Sequence, residues 1–238
     1  MQSVPFGAQY LIVAYVEFIT DNFGPLLQRT LEHIEIIFLS IAIAVPIGVA
    51  FGVIITYNDT LALIVIWLAG ILMTIPSIAL FGLLIPYFGI GATPVIVALV
   101  MYSQLPVIRN TYVGLTDVDP AALEAGKAMG MTQFELLRRV QLPMALPVIM
   151  AGVRNAVVIL IGIAAIGAFI GAGGLGDFIF RGIDHANVEM IVISTVILAI
   201  LTVAVDYVLG VSEQLFRLGN GEEIEPSAVT RLIQRVRT

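Results

Sequence analysis

The sequence predicts an all-α membrane protein, a polytopic bundle of about five transmembrane helices. Of its 238 residues, 59% are hydrophobic and only 12% are charged, and the mean hydropathy is +1.04. An average soluble domain carries about 25% charged residues. A chain of this composition cannot cover its surface with enough charge for water, so lipid must solvate most of it.

Long segments without any charged side chain supply the predicted spans. These charge-free segments are residues 36–58, 60–108, 155–176 and 190–205. Crossing a bilayer takes about 20 mostly apolar residues. The second segment is long enough for two spans, and its Gly- and Pro-rich part, residues 86–91 followed by Pro94, predicts the break between them. The fourth span is entered through Pro143 and Pro147, which gives five spans in total.

The chain divides into three predicted parts. Residues 1–30 form an external or interfacial segment, residues 31–215 the transmembrane part, and residues 216–238 a polar cytoplasmic tail. The apolar run 10–16 is too short to span, and no cation precedes Arg29, so a secretory signal is not expected. We interpret this run as a helix at the membrane interface or beside the bundle.

The cations predict the orientation. Lys127, Arg138 and Arg139 lie between the third and fourth spans, and further arginines follow the fifth span. Only Arg29 and Arg181 fall on the opposite side. Because cytoplasmic loops carry the excess of Lys and Arg, the central loop and the C-terminus are predicted to be cytoplasmic and the N-terminus external.

Composition also argues against several kinds of chemistry. The chain has no cysteine, two histidines and a formal net charge of −6, which disfavours thiolate chemistry, a histidine-rich metal site and a nucleic-acid partner. No G-x-x-x-x-G-K-[ST] loop occurs, so the chain is not expected to hydrolyse ATP. Gly171, Gly173 and Gly176 match G-x-G-x-x-G but follow a span, and we interpret them as a flexible external turn. We expect no catalytic residue, bound cofactor or metal in this chain.

The segment between the third and fourth spans is predicted to form two short helices. Asp119 is a good N-cap for the first, and Gly130 can end it. Thr132 and Glu135 have the capping-box spacing that starts the second, and Pro143 is expected to end it. Two ordered helices projecting from a bundle indicate a docking element; the alternative is an amphipathic hairpin on the membrane surface.

The same segment carries a motif. The string Glu124-Ala125-Gly126 with Gly130, followed by residues 140–143, resembles the EAA loop of ABC-importer permeases, with Gly126 and Val140 replacing the usual Ala and Ile. In that family this loop, residues 117–143 here, is the coupling helix that sits in a groove of the cytoplasmic ATPase. The resemblance implies these ATPase-coupling residues: Glu124, Ala125, Gly126, Gly130, Leu142 and Pro143.

Further strings are similar to the glycine betaine, carnitine and choline permeases: residues 75–80, 104–112 and 171–176. The similarity covers roughly residues 25–215 and implies uptake of an osmoprotectant such as glycine betaine, choline or carnitine. It also implies a separate ATPase that uses ATP and Mg²⁺, an extracytoplasmic binding protein and a second permease, identical or related. The expected location is the bacterial or archaeal cytoplasmic (inner) membrane.

Seven residues are candidates for the solute pathway or its gate: Pro76, Ser77, Tyr102, Arg109, Asn110, Arg154 and Asn155. Arg154 lies about ten residues into the fourth predicted span, where a charge is costly and functional by default, unless its side chain reaches the membrane surface. Asp206, near the end of the fifth span, can pair with Arg154 or Arg109 or simply lie at the interface.

Two alternatives and one packing question stay open. The chain could be an ABC permease for another small solute, such as an amino acid, or an ion-coupled secondary transporter that works alone. Secondary transporters place carboxylates near the bilayer midplane, and the first three predicted spans have none. The small-residue pairs Gly48/Gly52 and Gly167/Gly171 have the spacing that packs helices closely, either within the bundle or between subunits.

Overall fold

The structure, a computed structural model, describes residues 6–220. Every regular element in that range is a helix, which confirms the all-α prediction. The α-helices are α1 Phe6–Asp21, α2 Phe23–Ile55, α3 Asp59–Thr74, α4 Ser77–Phe88, α5 Ala92–Thr116, α6 Pro120–Ala128, α7 Gln133–Leu136, α8 Leu142–Gly167, α9 Gly176–Asp184 and α10 Val188–Gly219. The predicted tail arginines at 231, 235 and 237 lie outside the described residues.

Over residues 6–220 the structure has four or five candidate membrane spans, and the prediction was five. Four segments in the described part of the chain are long and apolar enough to cross a membrane: Phe23–Ile55, Ala92–Thr116, Gln133–Ile170 and Val188–Gly219. Helices α3 and α4 are bent by 98° at a short break, and they make the fifth only when the bent pair is counted as one span.

That break corrects the predicted course of the long apolar run. The sequence predicted one break, at residues 86–91, and the structure has a second at Ile75–Pro76. Ile75 has extended backbone angles, φ −71° and ψ 127°, as expected of a residue that precedes proline. Pro86 instead lies within α4, which ends at Phe88 and is followed by Gly89 with φ +78°.

Contacts divide the chain into two compact units. The first contains the residues up to Ser40, Pro76–Leu99 and Leu160–Val203. Its core is built from large apolar side chains such as Phe81, Leu99 and Leu160, which are fully buried. The ring of Phe18 on α1 packs edge-on against Phe178 of α9, so α1 lies beside other helices of this unit.

The second unit contains Ile41–Ile75, Val100–Ile159 and the residues from Ala204 on. One apolar cluster joins α2, α3 and α5 through Ile55, Ala62 and Ile108. Another joins α5 to α8 through Leu115, Ala145 and Ile149, with Val49, Val53, Leu137 and Leu142 packed against it.

Small residues bring helices together within this chain. A Cβ at Gly48 would lie 2.6 Å from Val107 Cγ1, and one at Gly52 would collide with the Thr111 side chain. Gly167 packs in the same way against Val95. The within-bundle interpretation is therefore confirmed for these three glycines. Gly171 instead adopts φ +81° after the end of α8.

Candidate functional site

The 117–143 loop contains the two predicted helix starts. At the start of α6, the Asp119 carboxylate accepts a hydrogen bond of 2.9 Å from the Ala121 N–H. At the start of α7, Thr132 and Glu135 bond each other's backbone N–H groups, at 3.0 and 3.3 Å. Gly130, with φ +79°, makes the turn between the two helices. The predicted caps are confirmed because each depends only on residues within one helical turn.

Gly126 is the contact point between the two helices. It is buried, and a Cβ there would lie 2.6 Å from Leu136 Cδ1 and 3.4 Å from Met131 Sδ. The absence of a side chain lets α6 approach α7 closely. The departure from alanine at this position therefore has a packing reason, and the loop holds its shape through its own small core.

The outer surface of the loop combines one carboxylate with exposed apolar side chains. Glu124 and Ala125 are exposed, and nearby Met129 and Phe134 expose 70% and 69% of their surface. Large exposed apolar groups on an ordered loop are typical of a surface that contacts a protein partner or a membrane. Sequence reasoning missed Met129 and Phe134, although apolar residues beside a glycine turn were a visible signal.

The other candidate coupling residues are at least partly buried. Gly126 is buried, and Leu142 packs against the Leu115, Ala145 and Ile149 cluster. Pro143 is half-buried. Of the six predicted coupling residues, only Glu124, Ala125 and Gly130 are therefore exposed on the loop.

The prediction that Pro143 ends the second helix is wrong. The chain stays helical from Gln133 through Gly167, because a π-helical turn, Leu137–Gln141, lies between α7 and α8. In this turn the Leu142 N–H donates to the Leu137 carbonyl. Proline has no N–H and its ring clashes with the carbonyl four residues earlier, and the extra residue of a π turn relieves both problems. The loop is thus continuous with α8.

The end of α10 is fixed to the same place. The Asn220 side-chain amide donates to the carbonyls of Pro143 at 3.1 Å and Met144 at 3.3 Å. Within an α-helix the Pro143 carbonyl would accept from residue 147, which is also a proline and has no N–H. Asn220 supplies the missing donor, so α10 and the loop-proximal end of α8 are tied together.

Three of the predicted pathway residues meet at one cavity of about 420 Å³. Arg109 and Asn110 on α5 and Asn155 on α8 contribute its polar lining, and Met73 on α3 contributes to its apolar wall. Arg109 and Asn155 are exposed to this space, while Asn110 donates to the Pro106 carbonyl of its own helix at 2.8 Å.

Arg154 lies in an ion-pair network rather than in that cavity. Its guanidinium binds Asp206 in a bidentate manner, with Nε–Oδ1 and NH2–Oδ2 distances of 2.6 and 2.8 Å. A longer contact of 3.4 Å reaches Glu213, whose carboxylate also pairs with Arg217 at 3.0 Å. Of the alternatives for Asp206, pairing with Arg154 is therefore correct.

A glycine makes room for this network. Asp206, Gly210 and Glu213 lie on one face of α10, and the Arg154 guanidinium rests on Gly210, where a Cβ would be 3.2 Å from Cζ. A second cavity, of about 400 Å³, is lined by Arg154, Asn155, Asp206 and Glu213. The network therefore borders open space as well as joining α8 to α10.

Tyr102 belongs to the break between α3 and α4. Its hydroxyl donates to the Ile75 carbonyl at 2.7 Å, and the side chain is only 3% exposed. Because the helix is interrupted at Pro76, this carbonyl lacks a helical partner and needs another donor. Pro76 caps α4, and Ser77 is its first residue. None of these three predicted pathway residues lines the Arg109 cavity.

The glycine segment 171–176 forms the predicted turn after α8, and it contacts α2. Arg29 bridges Glu32 at 2.7 Å and Asp177 at 2.8 Å, and Glu32 accepts from the Gly174 N–H at 3.1 Å. A Cβ at Gly174 would lie 2.8 Å from Nδ1 of the buried His33. The sequence could not show this because the partners are more than 140 residues apart.

Within residues 6–220, no group of three or more His, Cys, Asp or Glu side chains is placed to hold a metal ion.

Comparisons with known proteins agree on one family. The family described as "Binding-protein-dependent transport system inner membrane component" matches residues 44–217. The chain is 44% identical over 199 residues to the choline transport system permease protein OpuBB of Bacillus subtilis, covering 84% of this chain and 92% of that relative. It is 43% identical to the osmoprotectant import permease protein OsmW of Salmonella typhimurium, covering 82% and 93%.

Solved structures give the same picture of the fold. An inward-facing form of the MetNI methionine ABC transporter matches with a TM-score of 0.72 and 26% identity, covering 80% of this chain and 95% of that one. An amino acid ABC transporter solved with histidines matches with a TM-score of 0.66 and 19% identity, covering 90% and 99%.

Proposed function

Because the chain belongs to the family of binding-protein-dependent transport system inner membrane components, we propose that it is the permease through which an ATP-driven importer takes up an osmoprotectant. Glycine betaine, choline and carnitine are the solute class. The observation that carries this choice is identity of 43–44% over more than four fifths of the chain to permeases named for choline, osmoprotectant and glycine betaine/carnitine/choline transport.

The 117–143 loop is the proposed docking site for a separate ATPase. Its exposed Met129 and Phe134 are of the residue types enriched in protein interfaces, and Glu124 adds one charge to the same loop. ATP and Mg²⁺ would be bound by that ATPase, since no phosphate-binding loop occurs in this chain. The loop and the C-terminus would then face the cytoplasm and the N-terminus the outside, as the distribution of cations favours.

The continuity of the loop with α8 supports a mechanical role. A displacement of α6 and α7 by the ATPase would move α8 through the π turn and α10 through Asn220. Such a rigid-body shift is one of the ways in which helices switch between two packed arrangements. In this proposal the shift opens the pathway to a binding protein that delivers the solute outside.

A second permease subunit, identical or related, completes the proposed pathway. Helix α10 supports this because only 6% of its most apolar window is buried within the chain. Its exposed side chains include Val196, Ile200, Val203 and Val208. This surface must face lipid or another subunit.

One other solute class has a specific observation in its favour. The solved relative at 26% identity is described as a methionine ABC transporter. A permease for an amino acid is therefore the second candidate, and it differs from the first only in the solute and not in the coupling.

Charge reversal on the loop tests the proposed coupling. Glu124→Lys is expected to lower ATP-dependent uptake roughly tenfold or more, because an unfavourable charge at a complementary interface costs several kcal/mol. Uptake of labelled glycine betaine, choline and carnitine would be measured in cells that also express the ATPase and binding-protein partners. The amount of ATPase that co-purifies with the permease should fall in parallel.

The matched control is Glu17→Lys, the same charge reversal at an exposed glutamate of α1, outside the loop. It should leave ATPase co-purification at the wild-type level. Membrane insertion of both variants is checked by their yield in the membrane fraction. Unchanged uptake and unchanged co-purification with Glu124→Lys would contradict the coupling assignment.

A further inference from the structure

The cavity at Arg109 has the size of a small-solute site. Its volume of about 420 Å³ falls within the roughly 300–1,000 Å³ typical of ligand pockets. Helices α3, α5 and α8 all contribute to its wall, so a change in the packing of these helices would change its shape.

The described side chains that line the cavity include a positive charge but no negative one. Its only charged side chain is the Arg109 guanidinium, and its other polar side chains are the amides of Asn110 and Asn155. The rest of the wall is aliphatic or thioether, as at Met73, or proline. The lining contains neither a carboxylate nor an aromatic ring, the two groups that proteins use to hold a cation.

Arg109 also differs from the arginines that are paired within membrane-spanning helices. Arg29 and Arg154 each lie within 2.8 Å of a carboxylate oxygen. Arg109 has no carboxylate partner within 4.0 Å among the described residues, and Asn155 makes no side-chain hydrogen bond there. An unpaired charge in such a helix is expensive and indicates a functional site.

We propose that this cavity binds the carboxylate end of a zwitterionic solute, with the Arg109 guanidinium as its anchor and the Asn155 amide as a second donor. The guanidinium fork matches a carboxylate with two parallel hydrogen bonds. A quaternary ammonium cation without a carboxylate finds no partner in this lining and is repelled by Arg109. The permease therefore favours carboxylate-bearing osmoprotectants, the class of glycine betaine and carnitine, over choline.

This inference rests on the proposed function, and its test is kept separate from the test of that function. The full chain is purified with its ATPase in lipid nanodiscs, without nucleotide and without the binding protein. Equilibrium dialysis with labelled glycine betaine, carnitine and choline then measures the preference of the permease itself. Wild type is expected to bind the two carboxylate-bearing solutes more tightly than choline.

Substitution of the anchor should abolish this preference. Arg109→Gln is expected to lower the ratio of glycine betaine to choline affinity roughly tenfold, since a charge-assisted bidentate contact is lost. Arg109→Lys keeps the charge without the fork and should retain an intermediate ratio. Arg181→Gln removes an exposed cation on α9, outside the cavity and outside the 117–143 loop, and should leave the ratio at the wild-type value.

Two results would overturn the inference. One is a wild-type permease that binds choline as well as glycine betaine and carnitine, or binds none of them. The other is a preference that survives Arg109→Gln. Both leave the proposed function standing if cells still take up any of these solutes in an ATPase-dependent way, whereas loss of that uptake in wild type would remove the proposed function itself.

Discussion

Arg154 illustrates how a charged side chain is accommodated in a membrane-spanning helix. Its two short bonds to Asp206 neutralise the charge, and Gly210 provides the space for the guanidinium. Both partners remain 37% exposed, so the pair is neither a fully buried ion pair nor a surface one. The contribution of this ion pair to stability should therefore lie between that of a surface pair and that of a fully buried pair.

A double-mutant cycle measures that energy. Arg154→Gln alone leaves Asp206 without its cation and is expected to lower the free energy of unfolding by about 1–2 kcal/mol, between roughly 0.2–1 for exposed pairs and 3–5 for broken buried pairs. The double variant Arg154→Gln/Asp206→Asn should cost less than the sum of the two single variants. Denaturation in mixed micelles provides the values.

The control for the cycle is Arg139→Gln. Arg139 lies 4.0 Å from Glu135 and is exposed, so its loss should change stability by less than about 0.5 kcal/mol. If the losses in unfolding free energy for Arg154→Gln and Asp206→Asn were strictly additive, the Arg154–Asp206 ion pair would contribute no net interaction energy.

At the scale of single residues, the sequence predicts contacts between neighbours in the chain but not contacts between distant residues. The caps at Asp119 and Thr132 were predictable because donor and acceptor lie within three residues of each other. The Arg154–Asp206 pair joins residues 52 apart, and nothing in the sequence distinguished it from pairing with Arg109. Three-dimensional packing alone decides such pairs.

At the scale of elements, a side-chain hydrogen bond stabilises the break between α3 and α4 that Pro76 creates. The hydroxyl of Tyr102 reaches the Ile75 carbonyl, which the bend has removed from the helical ladder. The sequence did not predict this break because Ile75–Pro76 lies within an uninterrupted apolar run and has no neighbouring glycine until Gly82. The Gly-rich stretch 86–91 was the more visible signal.

Tyr102→Phe is therefore expected to destabilise the protein. The ring stays in its buried position while the carbonyl loses its donor, which costs about 1–3 kcal/mol when the acceptor has no other partner. Thermal denaturation of the detergent-purified protein should give a lower Tm.

Tyr207→Phe serves as the comparison, since Tyr207 is exposed and its hydroxyl has no hydrogen bond within the described residues. Its Tm should match that of wild type. Equal Tm values for both variants and wild type would mean that the Tyr102 hydroxyl does not stabilise the break.

The π turn shows why the end of the second loop helix was predicted wrongly. A proline after an apparently complete short helix indicates an end, and the sequence was interpreted in that way at Pro143. The structure accommodates the proline through the extra residue of the preceding π turn. The two predicted elements therefore form one continuous helix. This continuity gives the loop a rigid connection to α8.

At the scale of the whole molecule, one exposed loop and one poorly buried helix point to an incomplete assembly. The 117–143 loop displays Met129 and Phe134, and α10 is almost unburied within its own chain. Family membership accounts for the exposed loop, since a binding-protein-dependent transporter has partners outside its membrane component, and the surface of α10 faces lipid or another subunit. Composition predicted the membrane bundle, whereas only the motif in the loop indicated the partners.

The central claim is that this permease imports an osmoprotectant only when its ATPase drives it. The most direct measurement is uptake of labelled glycine betaine and choline by a host that lacks its own osmoprotectant uptake. The host carries this chain with its ATPase and binding protein, and the control host lacks only the ATPase. We expect uptake in the first host and none above background in the second. Uptake that persists without the ATPase would contradict the account and favour a secondary transporter.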